Sequence, residues 1–332
     1  MATARTEPNA AVGRRRFLAI AGAAAGLALV SGPARAEAVV HRWSGVALGA
    51  QASIRLLHPD AAEARRVIAL AVLEIERLER IFSLYRPDSA VVRLNRDGRL
   101  AAPPLELVEL LGRAAGVSRA SGGAFDVTMQ PLWQRYRAHF AGAAVDAGQP
   151  DVSDLLPLVD WRALQVDPQR VVFERAGMAL SLNGIAQGFV TDRVAALLRR
   201  NGVESLLLDL GEIRGVGRRP DGRGWQVGIA DPADPARSLG RLDGSDRAVA
   251  TSGGYGTLFD RAGRFSHLID PRSGRTAAAA RGVTVAAPEA TLADAWSTAF
   301  SLMEKAEIES LARQLEEVAV YLSGPGTLER IA

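Results

Sequence analysis

The chain has 332 residues, 48% of them hydrophobic and 23% charged, with a formal net charge of +3. Such a composition describes an ordinary globular protein with room for one large or two medium domains and a real core. The charge is not clustered in the body of the chain, which argues against nucleic acid as a partner. The absence of cysteine excludes disulfides, thiolate metal sites, a Cys nucleophile and an N-terminal lipoprotein anchor.

At the N-terminus, Arg14-Arg15-Arg16-Phe17-Leu18 opens an apolar run to Val30, and Ala34-Arg35-Ala36 follows. A basic region, an apolar segment of signal-peptide length and an A-x-A site describe a cleavable export signal over residues 1–36. The run is too short to span a bilayer comfortably. The arginine pair before Phe-Leu matches the twin-arginine type, which exports folded proteins. The expected mature chain, residues 37–332, is one periplasmic domain with no stable membrane span once the signal is removed.

Residues 39–57 alternate around Val46, Leu48, Ile54 and Leu56 and read as one or two strands. A helix is expected over 61–82, where Ile68, Val72, Ile75, Leu78 and Phe82 recur at steps of three and four. Ser83-Leu84-Tyr85-Arg86-Pro87-Asp88-Ser89 breaks it with a polar loop. A second helix, about 105–120, carries Leu105, Val108, Leu111 and Ala115 on one face and stops at Ser121-Gly122-Gly123. From Ala124-Phe125-Asp126-Val127-Thr128 the chain reads as irregular and aromatic-rich through Trp133 and Tyr136.

Residues 164–182 hold two β-rich runs split by Asp167-Pro168-Gln169, a hairpin signal. Next comes Ser181-Leu182-Asn183-Gly184-Ile185-Ala186-Gln187-Gly188, leading into a helix to about Arg200 that Asn201-Gly202 closes. A strand, a glycine turn and a helix N-terminus leave free N–H groups and a positive dipole facing whatever binds there. Runs at 206–210, 225–229, 248–250, 267–269, 283–286 and 318–322 read as strands of a mostly antiparallel sheet. The fold class is therefore α+β, without repeats or a low-complexity linker.

Polar clusters concentrate in the last third of the chain. Thr251-Ser252-Gly253-Gly254-Tyr255 reads as a small glycine-rich turn after the 248–250 strand. It is suited either to bringing N–H groups and hydroxyls to an anion or simply to closing a wide hairpin. Farther on, His267 precedes Asp270-Pro271-Arg272-Ser273-Gly274 and is a candidate polar contact or proton acceptor. Asp294 and Thr298 are four apart, so on a helix their oxygens share a side. A carboxylate with a hydroxyl suits Mg²⁺. The spacing Thr291-x-x-Asp294 equally fits a capping box, in which Asp294 only ties down a helix start.

Together these clusters resemble the periplasmic FAD:protein FMN transferases of the ApbE type. The matching pieces are Ala47-Leu48-Gly49, SLYRPDSAVVRLN (83–95), GAFDVTMQP (123–131), LNGIAQGFVTD (182–192), ATSGGY (250–255), HLIDPRSG (267–274) and ADAWST (293–298), spread in order over most of the mature chain. The resemblance implies a T-fold-like α+β architecture with flanking helices. It implies FAD as substrate, Mg²⁺ as cofactor, and transfer of FMN to a threonine or serine hydroxyl of a periplasmic or membrane-bound electron-transfer protein, with release of AMP. Breaking a pyrophosphate needs charge neutralisation and positioning more than covalent help, and a bridging Mg²⁺ supplies most of it.

By the same resemblance, Asp294, Thr298 and the carbonyl of Gly184 are metal ligands. Leu48, Tyr85, Ala124, Phe125, Asp126, Ser181 and Gln187 take positions that contact flavin or adenosine. His267 lies near the phosphates or flavin and assists deprotonation of the acceptor hydroxyl; Asp270 is a second catalytic candidate, with an Asp-Pro turn as the alternative. The chain departs from the family pattern at Ser181, usually aspartate, at Gln187, usually lysine, and at Asn183, usually glycine. Gly211-Glu212-Ile213-Arg214 is one residue shorter than usual, and Glu212 reads as a replacement carboxylate or a solvated strand residue. The implied acceptor is a subunit of a respiratory electron-transfer complex, and the twin-arginine signal without a lipid anchor suits the subgroup serving maturation of nitrous-oxide respiration. Two other activities fit the same residues: a non-catalytic FAD-binding or assembly protein, and a Mg²⁺-dependent pyrophosphatase splitting FAD into FMN and AMP.

Overall fold

The computed structural model describes residues 39–332 apart from Ala143 and Val145. The expected export signal, residues 1–36, lies outside them. The first half of the described chain runs β1 (Val39–Ala47), β2 (Ala50–His58), α1 (Ala61–Phe82), α2 (Ala90–Asp97), β3 (Arg99–Ala101), α3 (Leu105–Ala120), α4 (Gln130–Phe140), β4 (Leu164–Val166), β5 (Arg170–Phe173) and α5 (Ala186–Arg200). The second half runs β6 (Leu206–Asp209), β7 (Ile213–Val216), β8 (Gln226–Ala230), β9 (Ser238–Asp243), β10 (Ala248–Gly253), β11 (Gly282–Ala287), α6 (Ala290–Phe300), α7 (Lys305–Ala312), β12 (Ala319–Gly324) and β13 (Thr327–Arg330).

Eight strands form one sheet in the order β1-β2-β6-β7-β10-β11-β12-β13, every neighbouring pair antiparallel. Strand side chains alternate between faces, and the sequence exploits both. Leu206 and Leu208, Ala248 and Ala250, and Val283 and Val285 join the core that includes Ile75 and Leu78 of α1, Phe189 and Val194 of α5, and Phe300 of α6. Their alternates Leu207, Val249 and Ala286 face the other way and pack with Trp225 and with Val227 of β8. Helices thus cover one side of the sheet and the β8–β9 hairpin covers part of the other. This is the expected α+β class with mostly antiparallel strands and flanking helices.

Three local expectations change. Residues 130–140 are helix α4 rather than irregular chain: Pro131 sits in the first turn, where its missing N–H costs nothing, and Leu132 and Tyr136 bury one side. Thr251, Ser252 and Gly253 complete β10, with Gly253 opposite Gly282, so the glycine-rich segment is strand first and turns only at Gly254. Residues 267–269 form no strand; only the single bridges Leu258–Ser266 and Ile269–Thr276 occur there, because the chain turns tightly at Asp270.

Candidate active site

A helix leaves its first N–H groups without intrahelical acceptors. In α6 those of Ala290 and Thr291 donate to Asp192 of α5, at 2.9 Å to Oδ1 and 2.8 Å to Oδ2, and Thr291 Oγ1 donates to Oδ2 at 2.7 Å. Arg214 of β7 donates to Asp192 Oδ1 at 2.9 Å and holds it in place. The capping box readable from Thr291-x-x-Asp294 does not form: Glu289 is the N-cap of α6 and its side chain makes no cap bond. Asp294 does cap a helix, but the neighbouring one. Only 3% exposed, it accepts from Gly188 N, in the first turn of α5, at 2.9 Å through Oδ2, where the helix dipole favours a carboxylate. Each helix therefore caps the other across a seam. Gly188 permits the close crossing, since a Cβ there would overlap Ala290 O.

One turn along α6, Thr298 faces the turn that precedes α5. A Cβ on Gly184 would stand 2.9 Å from Thr298 Oγ1 and 3.3 Å from Phe125 Cε2, so only glycine brings its backbone this near the hydroxyl without displacing a neighbour. Ser252 Oγ of β10 lies 3.2 Å from Thr298 Oγ1 and 2.8 Å from Ser297 Oγ. A buried carboxylate, a hydroxyl and a close backbone are hard oxygen donors, few in number. That fits Mg²⁺, which keeps several waters or substrate oxygens in its shell. Among the described residues no three His, Cys, Asp or Glu gather at one place, so a site rich in imidazole or carboxylate ligands is not built there.

A small cleft of about 60 Å³ opens over the seam. It brings together Ala124, Phe125, Asp126, Ser181, Gly184, His267 and Thr298 from four separate stretches of sequence. Asp126 is buried, and desolvation pushes its carboxyl pKa up. Its oxygens accept from Thr128 N (2.8 Å), Thr128 Oγ1 (2.7 Å) and Trp161 N (2.9 Å). The carboxylate therefore shapes the loop beneath the cleft, and Ser181 N ties that loop in by donating to Val127 O at 2.8 Å. His267 Nδ1 lies 3.1 Å from Thr257 O. A carbonyl only accepts, so Nδ1 carries the proton, and in the neutral ring Nε2 holds the lone pair.

The remaining predicted positions do not join the cleft lining. Asp270 turns away: it accepts from Arg272 N at 2.8 Å and from Arg272 Nη2 at 2.9 Å, while its backbone carbonyl accepts from Gly274 N at 2.7 Å. Arg272 also donates to Leu302 O at 3.1 Å and straps this turn to the chain just beyond α6. Of the two readings open for Asp270, the geometry supports the turn. Leu48 sits in the β1–β2 hairpin with its N–H donating to Glu79 Oε1 at 2.6 Å, and Tyr85 is 66% exposed on the loop after α1. Gln187 is buried at the start of α5 against Gly211. Glu212 is 8% exposed, so the solvated-strand reading fails. Sequence reasoning passed over Asp192 and Ser297 as individual residues, although both lie inside motif pieces; their place in the 182–192 and 293–298 pieces is the signal that was there to find.

An antiparallel eight-stranded sheet, helices on one face, and a seam of two helices under a cleft define an α+β protein. Residues 48–322 match the model of the ApbE family, and the chain belongs to that family. It is 31% identical over 277 residues to an FAD:protein FMN transferase of Klebsiella pneumoniae (strain 342), covering 78% of this chain and 81% of the relative. It is 33% identical over 261 residues to the FAD:protein FMN transferase of Treponema pallidum (strain Nichols), covering 72% of each. The crystal structure of the Pseudomonas stutzeri flavinyl transferase ApbE, apo form, aligns with a TM-score of 0.74 at 26% identity, over 88% of this chain and 94% of that one.

Proposed function

We propose that this chain transfers FMN from FAD to a threonine or serine hydroxyl of a partner protein, with Mg²⁺ held at the α5–α6 seam and AMP released. FAD and a protein acceptor come from the names of the relatives. The observation that carries the metal-dependent reading is Asp294 and Thr298 on one side of α6, with Gly184 close against the hydroxyl. When bound, Mg²⁺ neutralises the pyrophosphate and eases departure of AMP. Asp294 is already oriented by Gly188 N–H, so the carboxylate needs little reorganisation to meet a cation. Phe125 and the 124–128 loop supply the apolar wall and shape of the cleft.

In the transfer step the acceptor hydroxyl oxygen bonds to the FMN phosphorus, and the phosphorus–oxygen bond to the AMP half breaks. The hydroxyl proton passes to His267 Nε2, and the bond's electron pair leaves on the AMP phosphate. His267 suits this role because Thr257 O fixes its tautomer. Periplasmic placement follows from the export signal expected over residues 1–36. The acceptor proposed is an electron-transfer subunit of a respiratory complex, such as one serving nitrous-oxide respiration. No helix among the described residues is long and apolar enough to cross a membrane.

Incubation of the mature chain with FAD, Mg²⁺ and a flavin-acceptor domain tests the reading, with acceptor mass and AMP measured together. Transfer gives an FMN-sized mass gain matched by AMP. AMP without the gain identifies a pyrophosphatase, and neither product identifies a binding or assembly protein.

A further inference from the structure

Ser252 and Ser297 take no part in the chemistry above, yet with Thr298 they form a chain of hydroxyls. Thr298 Oγ1 and Ser252 Oγ are 3.2 Å apart, and Ser252 Oγ and Ser297 Oγ are 2.8 Å apart. Ser297 Oγ donates to the backbone carbonyl of Asp294 at 2.9 Å. A hydroxyl has one proton to give and two lone pairs with which to accept. The carbonyl can only accept, so the Ser297 proton is committed to it. Ser297 Oγ must then accept from Ser252, and Ser252, its own proton engaged, must accept from Thr298. The direction is set from the far end: Thr298 to Ser252, Ser252 to Ser297, Ser297 to Asp294 O.

A helical threonine usually turns its hydroxyl to a carbonyl three or four residues back. For Thr298 the i−4 carbonyl is that of Asp294, which accepts both the helical N–H and Ser297 Oγ. Ser252, reaching over from β10, is the one hydrogen-bond partner of Thr298 Oγ1 among the described residues. With its proton drawn toward β10, the Thr298 oxygen keeps its lone pairs for the side where Gly184 approaches.

We propose that Ser252 and Ser297 are positioning residues that orient the Thr298 hydroxyl so that its oxygen, and not its hydrogen, meets the cation. This rests on the reading of the seam as a Mg²⁺ site. Without the relay the hydroxyl rotates freely, and a share of its orientations point a proton at the metal. Partners one step removed from metal ligands typically change affinity by about 10- to 100-fold when removed.

The test is Mn²⁺ affinity, read from the EPR signal of the free ion in the presence of FAD and without an acceptor. It compares wild type, Ser252→Ala, Ser297→Ala and Ser252→Thr. Both alanine variants are expected to bind Mn²⁺ about 10-fold more weakly, and Ser252→Thr, which keeps a hydroxyl on β10, to recover the affinity. The melting midpoint of the metal-free protein separates this effect from loss of fold, and the two alanine substitutions probe the relay at different links. Wild-type affinity in both alanine variants overturns the relay while leaving the cation site in place. A wild-type chain that binds no Mn²⁺ overturns the seam reading and the relay with it.

Discussion

The α5–α6 seam and the turn at residues 267–274 carry the two halves of the proposed chemistry, and they are built differently. In the seam each acid bridges two helices: Asp192 reaches Ala290 and Thr291, and the buried Asp294 reaches Gly188. In the turn His267 lines the cleft with Leu268, Ile269 and Pro271, while Asp270 pairs with the partly exposed Arg272, two residues away. Removing a buried acceptor strands an N–H and costs about 1–3 kcal/mol, whereas an exposed ion pair contributes about 0–1 kcal/mol. What an acid near a site does is decided by the group its oxygens meet, and sequence proximity to a catalytic histidine says little.

The largest effect is expected from Asp294→Asn. It keeps an oxygen for Gly188 N–H but loses the charge, so the chain stays folded while FMN transfer falls by about 100-fold or more, the scale of losing a preorganised charge-stabilising group. Intact mass of the acceptor over time measures it. Retained transfer breaks the comparison at its strong end. His267→Gln comes next, with transfer reduced by about 100-fold from loss of the proton acceptor and an unchanged denaturant midpoint. Asp192→Ala strands two N–H groups at the start of α6. It is expected to lower stability by about 1–2 kcal/mol, as loss of an N-cap does, and to weaken transfer less than the first two changes. Urea unfolding followed by circular dichroism checks the stability loss. Asp270→Asn is the mildest: transfer within about 3-fold of wild type and a stability loss under about 1 kcal/mol. A loss as deep as that of His267→Gln would return Asp270 to the catalytic set.

Much of the frame is legible in the sequence. The helices at 61–82 and 105–120 show themselves because apolar residues recur every three or four positions, and the one at 186–200 through the glycine turn before it and the Asn201-Gly202 close. The 124–128 and 181–184 pieces find their place in the cleft through the motifs that contain them. The seam is not legible, because local spacing cannot say which helix an acid caps: Thr291 and Asp294 satisfy a rule for one helix, while tertiary packing delivers Asp294 to another. The segment at Thr251 misleads for a related reason. Its glycines suggest a turn, yet pairing with β11 extends the strand through Gly253. Leu48 and Tyr85 carry the family pattern but lie on loops outside the cleft lining, and composition holds no signal for that separation.

The most direct measurement strips the chain of divalent ions with EDTA and titrates Mg²⁺ back in the presence of FAD and an acceptor domain, for wild type beside Asp294→Asn. A cation seated at the seam predicts that transfer disappears on stripping and returns along a saturating curve in wild type. In the variant it stays absent at Mg²⁺ concentrations that saturate wild type. Transfer that survives the chelator, or the same Mg²⁺ curve in both proteins, would contradict a metal centre between α5 and α6.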